Sequence, residues 1–185
     1  TFAGWKAGDG TAFTSGQKIT ATQVRNLYAK NDGKDGGTIT LTAQWTKNKY
    51  NIKYSMYNGT NNPSNLTSAE FDNVITLYKP TKAGWKFTGW TLEGTNPNYS
   101  TAKYGSSTSA VSTAISNSST KFGASGTVYV KNLSSTKGGE VTLVAHWEKT
   151  LTVNFWSGIA KKHNQSQQIT IHDSATSGTV TAPVT

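Results

Sequence analysis

The chain has no cysteine, so it forms no disulfide, carries no thioether-linked haem and offers no thiolate to a metal. It has one arginine against seventeen lysines. A protein that reads nucleic acid needs the planar guanidinium fork for phosphate and guanine, so its scarcity argues against that partner. Acidic groups are few, nine in all, and there are three histidines, His146, His163 and His172, at no metal-ligand spacing. No run approaches the roughly 18 apolar residues a membrane helix requires. Apolar residues make up only 34% of the 185, low for a single large core.

Six Trp, eight Tyr and six Phe are present instead, among abundant Asn, Ser, Thr and Gly. A few large side chains must therefore fill small cores, which suits β-rich modules because aromatics fit a pleated, half-buried surface. The net charge is +9. The lysines are scattered, with Lys161-Lys162 the one adjacent pair. That pattern reads as solvated strand faces and edges, where Lys opposes edge-to-edge pairing. An affinity for acidic polymers is the functional counterpart.

What organises the chain is an internal repeat. Phe2-Ala3-Gly4-Trp5 returns as Phe87-Thr88-Gly89-Trp90, and Leu41-Thr42-Ala43-Gln44-Trp45 as Leu143-Val144-Ala145-His146-Trp147. Ile52 to Gly59 returns loosely as Leu151 to Gly158, and Ile75 to Pro80 as Thr179 to Pro183. Trp45 and Trp147 stand 102 residues apart, Gly59 and Gly158 99, but Phe2 and Phe87 only 85. Long repeats with variable loops indicate tandem globular modules rather than a solenoid. Trp85, Phe87 and Gly89 alternate with Lys86, Thr88 and Trp90 at strand period. A Gly between two large aromatics leaves room for a ring to lie across its backbone.

Asn58-Gly59, then Pro80, Gly84, Trp85, Phe87, Gly89 and Trp90, then Leu143, Ala145 and Trp147 together resemble the Listeria–Bacteroides repeat family. These are the internalin B-type B-repeats of bacterial surface proteins. The resemblance covers about 49–149 as one module, and the segment after Trp90, with its Ser/Thr-rich insert at 100–120, departs from the family pattern. It implies a β-rich α+β fold: tandem small β-grasp (ubiquitin-like) modules, each a mixed sheet with one short helix. The expected organisation is 1–47 as the C-terminal half of a repeat, 48–149 as a complete one, and 150–185 as the N-terminal half of a third. The motif residues Phe2, Gly4, Trp5, Trp45, Pro80, Gly84, Trp85, Phe87, Gly89, Trp90 and Trp147 are expected to be structural.

Thr20-Ala21-Thr22-Gln23 is a capping box, and Ala21, Val24, Leu27 and Tyr28 follow at helical spacing, predicting a helix over 21–30. Thr67-Ser68-Ala69-Glu70 is a second such box, predicting a short helix over 68–74 that runs into a strand. Strands are expected over 38–45, 50–57, 85–92, 127–130, 141–147, 151–156, 169–171 and 179–184. The stretch 95–119 reads as a long loop or one poor helix bearing Ala110, Val111, Ala114 and Ile115.

Signals for chemistry are thin. His172-Asp173 could orient an imidazole toward a serine, but no Gly-x-Ser-x-Gly elbow exists and a polar turn is the simpler reading. Asn31 to Gly36 has the outline of a calcium loop, yet Gly33 and Thr42 stand where oxygen ligands are needed, so a helix-exit turn is expected. Glu70, Glu93, Glu140 and Glu148 lack a glycosidase context. Asn58-Gly59-Thr60 and Asn98-Tyr99-Ser100 match a glycosylation pattern that arises by chance in such a composition. Trp156 with Lys161, Lys162 and His163 is a candidate aromatic-basic patch for a sugar or anionic polymer, though a Trp there also suits a core or inter-module contact.

The function expected from the resemblance is that of a non-enzymatic repeat of a bacterial cell-surface protein, without metal or cofactor. It would be a spacer or adhesion element at the cell wall, with head-to-tail self-association. The alternative is a carbohydrate- or anionic-polymer-binding module. Expected partners are neighbouring modules, a second copy of the chain, or host or cell-surface glycans and anionic polymers, with no nucleic acid and no membrane insertion. Thr1-Phe2 is not a translation start, so a secretion signal and any anchor are expected outside this sequence. Residues 151–185 are expected to pair with a segment like 1–47, most simply in a second copy, unless the module boundaries cut elsewhere and 1–47 packs directly on the middle module.

Overall fold

The computed structural model describes residues 1–30, 38–157 and 162–181. The chain forms two compact units, Thr1–Asn48 and Lys49–Thr185.

The first unit contains β1 (Phe2–Ala7), β2 (Ala12–Phe13), α1 (Ala21–Lys30) and β3 (Leu41–Trp45). The strands form an antiparallel sheet in the order β2-β1-β3. The helix starts at the expected capping box, where Thr20 Oγ1 accepts from the Gln23 N–H at 3.2 Å and Gln23 Oε1 accepts from the Thr20 N–H at 2.9 Å. Its apolar face is only partly used: Leu27 is buried, whereas Val24 is exposed. Ala7, Phe13 and Leu27 make a small core, with Ile39 and Leu41 packed against it.

The second unit contains β4 (Lys49–Ser55), β5 (Ser68–Glu70), β6 (Ile75–Leu77), β7 (Lys86–Glu93), β8 (Lys103–Gly105), β9 (Thr113–Ala114), β10 (Val128–Lys131), β11 (Glu140–Ser157) and β12 (Lys162–His172). One sheet runs β12-β11-β4-β5, with β7 also paired to β11; the other runs β6-β10-β8-β9. The pairing of β11 with β4 is parallel and the rest are antiparallel. The core gathers Phe87, Trp90, Leu92, Leu143 and Trp147 from the first sheet and Leu77, Val128 and Val130 from the second.

This is not the expected string of β-grasp modules. Among the described residues there is one α-helix, and it lies in the first unit; the second unit is built from several strands in two sheets and a single 3-10 turn, Thr108–Ala110. The helix expected over 68–74 is a strand. Ser68–Glu70 pairs with β4, Tyr50 opposite Ala69, and Ala69 is buried. A helix that short is marginal by itself, because its first turn fixes three residues for one hydrogen bond. Ladder bonds to β4 outweigh the capping signal. The chain then turns at Asp72, whose φ is +63°, held by Asn132: the Asp72 N–H donates to Asn132 Oδ1 at 2.6 Å, and Asn132 Nδ2 donates to Asp72 Oδ1 at 3.1 Å.

The Ser/Thr-rich stretch expected as a loop or poor helix supplies β8 and β9, buries Val111 and places Ile115 in the core. At the C-terminal end, Thr179 to Thr181 are not in a strand, and 182–184 lie outside the described residues. The run 151–156 does not begin a new element: β11 continues through it to Ser157 and pairs with β12 from Glu148 opposite His172 to Ser157 opposite Lys162.

Candidate functional site

The repeated motif builds one arrangement twice. In the second unit β7 and β11 pair with Gly89 opposite His146 and Phe87 opposite Trp147, leaving Thr88 as an extra residue. This bulge matters. Strict alternation would put Phe87 and Trp90 on opposite faces; the extra residue returns Trp90 to the face of Phe87. The rings of Phe87 and Trp90 meet edge-on at 5.3 Å, and those of Phe87 and Trp147 at 5.5 Å. All three are buried.

Gly89 has φ +126°, and a Cβ on it would sit 2.9 Å from the carbonyl oxygen of Phe122. The sequence led us to expect a ring across this glycine; a backbone carbonyl lies there instead. Trp90 and Phe122 exchange two backbone hydrogen bonds, 2.7 and 3.0 Å, and the glycine lets the two chains approach.

The first unit repeats each feature. Gly4 lies opposite Gln44 and Phe2 opposite Trp45, with a register shift between them. Phe2 meets Trp5 at 5.4 Å and Trp45 at 5.3 Å, both edge-on. Gly4 has φ +130°, and a Cβ on it would meet the Phe13 carbonyl oxygen at 2.5 Å. Trp5 pairs with Phe13 as Trp90 bridges Phe122. Exposure is what differs. Trp45 is 71% exposed and Trp5 41%, against 1% for Trp147 and 0% for Trp90.

Of the remaining motif residues, Pro80 is buried. Gly84 takes φ +74° in the turn before β7. Trp85 is half-buried, with the Lys82 ammonium 4.0 Å above its ring. Lys86 binds Glu148 across the strands at 2.6 Å. That hydrogen bond and the lysine charge hold the Glu148 carboxyl below its ordinary range against a smaller opposing effect of burial.

A polar constellation that the sequence reading missed lies along β7 and β11. His146 Nε2 is 2.9 Å from Thr91 Oγ1, and His146 Nδ1 is 3.1 Å from Asp173 Oδ2. Because the carboxylate can only accept, Nδ1 carries the proton, and in the neutral imidazole Nε2 is then the acceptor facing the Thr91 hydroxyl. In connectivity this is hydroxyl, imidazole and carboxylate, the order of a hydrolase triad. Its surroundings point elsewhere. Thr91 is 2% exposed, so a substrate carbonyl cannot reach its Oγ1.

Asp173 is tied to the backbone of Trp147 from both sides: Asp173 Oδ1 accepts from the Trp147 N–H at 2.9 Å, and the Asp173 N–H donates to the Trp147 carbonyl at 2.9 Å. Lys82 Nζ donates to the Asp173 carbonyl. The group clamps the turn after β12 onto β11. His172, the imidazole adjacent in sequence, is exposed. The signal was hidden because Gln44 stands at the His146 position of the other repeat and Lys6 at that of Thr91, so the repeat does not mark the network.

The aromatic-basic patch is only partly described. Trp156 is 62% exposed on β11, where its backbone pairs opposite His163, and Lys162 pairs opposite Ser157. Only the backbone of Lys162 and His163 is described, and Lys161 lies outside the described residues, as do Asn31 to Gly36 of the calcium-loop outline. Among the described residues no three His, Asp or Glu side chains gather as a metal site, and no helix is long and apolar enough to cross a membrane. No protein family, curated protein or solved structure matches the chain.

Proposed function

We propose that the protein is a non-enzymatic repeat segment of a bacterial cell-surface protein, acting as a spacer or adhesion element outside the cell. The observation that carries this reading is the duplicated aromatic station, Phe2, Gly4, Trp5 and Trp45 against Phe87, Gly89, Trp90 and Trp147, rebuilt with the same bulge and ring geometry. Duplicated structure without a duplicated polar site serves mechanical extension and presentation rather than turnover. The hydroxyl–imidazole–carboxylate group supports the same view, since its hydroxyl is sealed.

A second reading, binding of a carbohydrate or anionic polymer, is favoured by exposed Trp156 and the +9 charge. A glycan array and a heparin column distinguish the two. The spacer reading expects no glycan signal, and heparin elution at the salt concentration of an unrelated protein of equal charge. Retention that Trp156→Ala abolishes would replace it with the binding reading.

A further inference from the structure

The first unit carries the aromatic station without the cover its twin has. In the second unit the cover is β4 and the turn after it. β4 runs parallel to β11, with Val141 opposite Ile52 and Leu143 opposite Tyr54. The Tyr54 ring meets Trp90 at 5.9 Å. The Trp147 indole N–H donates to the Met56 carbonyl at 2.9 Å. Gly59 lies so close that a Cβ there would sit 2.5 Å from the Trp147 ring.

In the first unit β3 takes the place of β11. Among the described residues it is an end strand, in the order β2-β1-β3. Leu41 and Ala43 on it, and Ile39 just before it, are half-buried, where their counterparts Leu143, Ala145 and Val141 are fully buried. An end strand beside open aromatics is a template for one more strand.

The chain contains a second strand of the β4 type. Leu151, Val153, Phe155, Trp156 and Gly158 repeat the spacing of Ile52, Tyr54, Met56, Tyr57 and Gly59. Residues 151–157 of this run form the outward half of β11, with Leu151 41% exposed and Val153 and Phe155 half-buried.

We propose that residues 151–157 of one copy add to β3 of a second copy as a parallel strand and roof Phe2, Trp5 and Trp45. The register follows from the twin: Ile39 opposite Leu151 and Leu41 opposite Val153, with the Trp45 indole N–H meeting the Phe155 carbonyl. Main-chain bonds supply the attachment, and alternate side chains set the register. One copy's donor strand enters another copy's acceptor, so the contact is head-to-tail and grows into open chains or a ring. The inference deepens the spacer reading by naming a partner, but it rests on the repeat alone, so a glycan result leaves it untouched.

Sedimentation of the whole chain from micromolar to millimolar concentration tests it. The expected mass rises from the single-chain 19.8 kDa toward multiples of it. Trp45→Ala removes the acceptor and Phe155→Lys the donor, and each variant alone stays at single-chain mass. Mixed in equal amounts, the two make a two-chain species and nothing larger, since one intact donor still meets one intact acceptor. A peptide of residues 150–159 in excess returns the unmodified chain to single-chain mass, an arm that depends on no substitution. The proposal is overturned by an unmodified chain that stays single at every concentration, by assembly that survives both substitutions, or by a peptide without effect. A single chain that binds a peptide of residues 49–60 would also overturn it, assigning the edge to a β4-type strand from elsewhere.

Discussion

Trp45 and Trp147 stand at one position of the same bulged strand pair, each edge-on to a phenylalanine, Phe2 at 5.3 Å and Phe87 at 5.5 Å. Their local geometry is alike, yet one is 71% exposed and the other 1%. The pair that holds each Trp does not decide its burial. In the second unit that work is done by β4 and the turn at Met56 to Gly59, which close over Trp147. Burying an aromatic of this size removes roughly 150–250 Å² from water, so the uncovered copy leaves a large driving force unused.

The buried station should dominate the stability of the second unit. Phe87 touches both Trp90 and Trp147, so Phe87→Ala is expected to cost roughly 3–5 kcal/mol. Phe2→Ala, in the open copy, should cost well under half of that. Urea titrations followed by tryptophan fluorescence compare the two, and equal midpoints for Phe87→Ala and the parent would sink the claim.

Gly89 tests backbone approach separately from backbone conformation. Gly89 and Gly126 both have φ in the left-handed half, +126° and +138°, but only Gly89 faces a carbonyl oxygen within 3 Å of its absent Cβ; Gly126 faces open space. Gly126→Ala costs conformational strain alone, roughly 1–3 kcal/mol. Gly89→Ala must also push Phe122 away, and the expected loss is at least about 1 kcal/mol greater. Thermal melts that rank the two equally would remove close approach as the reason for this glycine.

The Asp173 clamp predicts a tautomer. In nitrogen-15 spectra of the neutral imidazole, His146 should carry its proton on Nδ1, facing Asp173. Asp173→Ala leaves the Trp147 N–H and His146 Nδ1 without their acceptor and should cost about 1–3 kcal/mol. A His146 protonated on Nε2 in the parent protein contradicts the arrangement.

Alkaline pH should weaken the second unit through Tyr50. Burial pushes its phenol up to about 12, and among the described residues the hydroxyl has no hydrogen-bond partner to offset this. The unfolded chain releases this proton near the ordinary value of about 10. Between those values the folded state binds more protons, so stability falls as pH rises, by at most about 1.4 kcal/mol per unit from this group. It is fully present below pH 10. Urea midpoints measured from pH 9 to 11.5 should fall for the parent and fall less steeply for Tyr50→Phe; parallel curves would exclude Tyr50 as the cause.

The Lys86–Glu148 pair makes a smaller, local prediction. Glu148 should titrate below an ordinary glutamate, and Lys86→Ala should bring it back up, since the lysine hydrogen bond is the largest cause of the lowering. Carbon-13 titration of the Glu148 carboxyl reads this directly. An unchanged midpoint in the variant counts against the pair.

The sequence by itself determined what is local or repeated. The capping box at Thr20 and Gln23 satisfies backbone donors within four residues, so it could be read without a fold, and the helix Ala21–Lys30 followed. Phe-x-Gly-Trp and the closing Trp could be paired because the chain states them twice. Tertiary structure decided the rest. The box at Thr67 to Glu70 lost to ladder bonds from β4, 19 residues away in the register of Tyr50 and Ala69. A bulge at Thr88, invisible to strict alternation, chose which face Trp90 takes. Thr91, His146 and Asp173 are separated by 55 and 27 residues and joined only when β7, β11 and the turn after β12 came together. Composition and spacing encode what neighbouring residues prefer. Which preference survives is set by long-range partners that supply more hydrogen bonds and bury more surface than the local alternative, and those partners exist only once the sheets have formed.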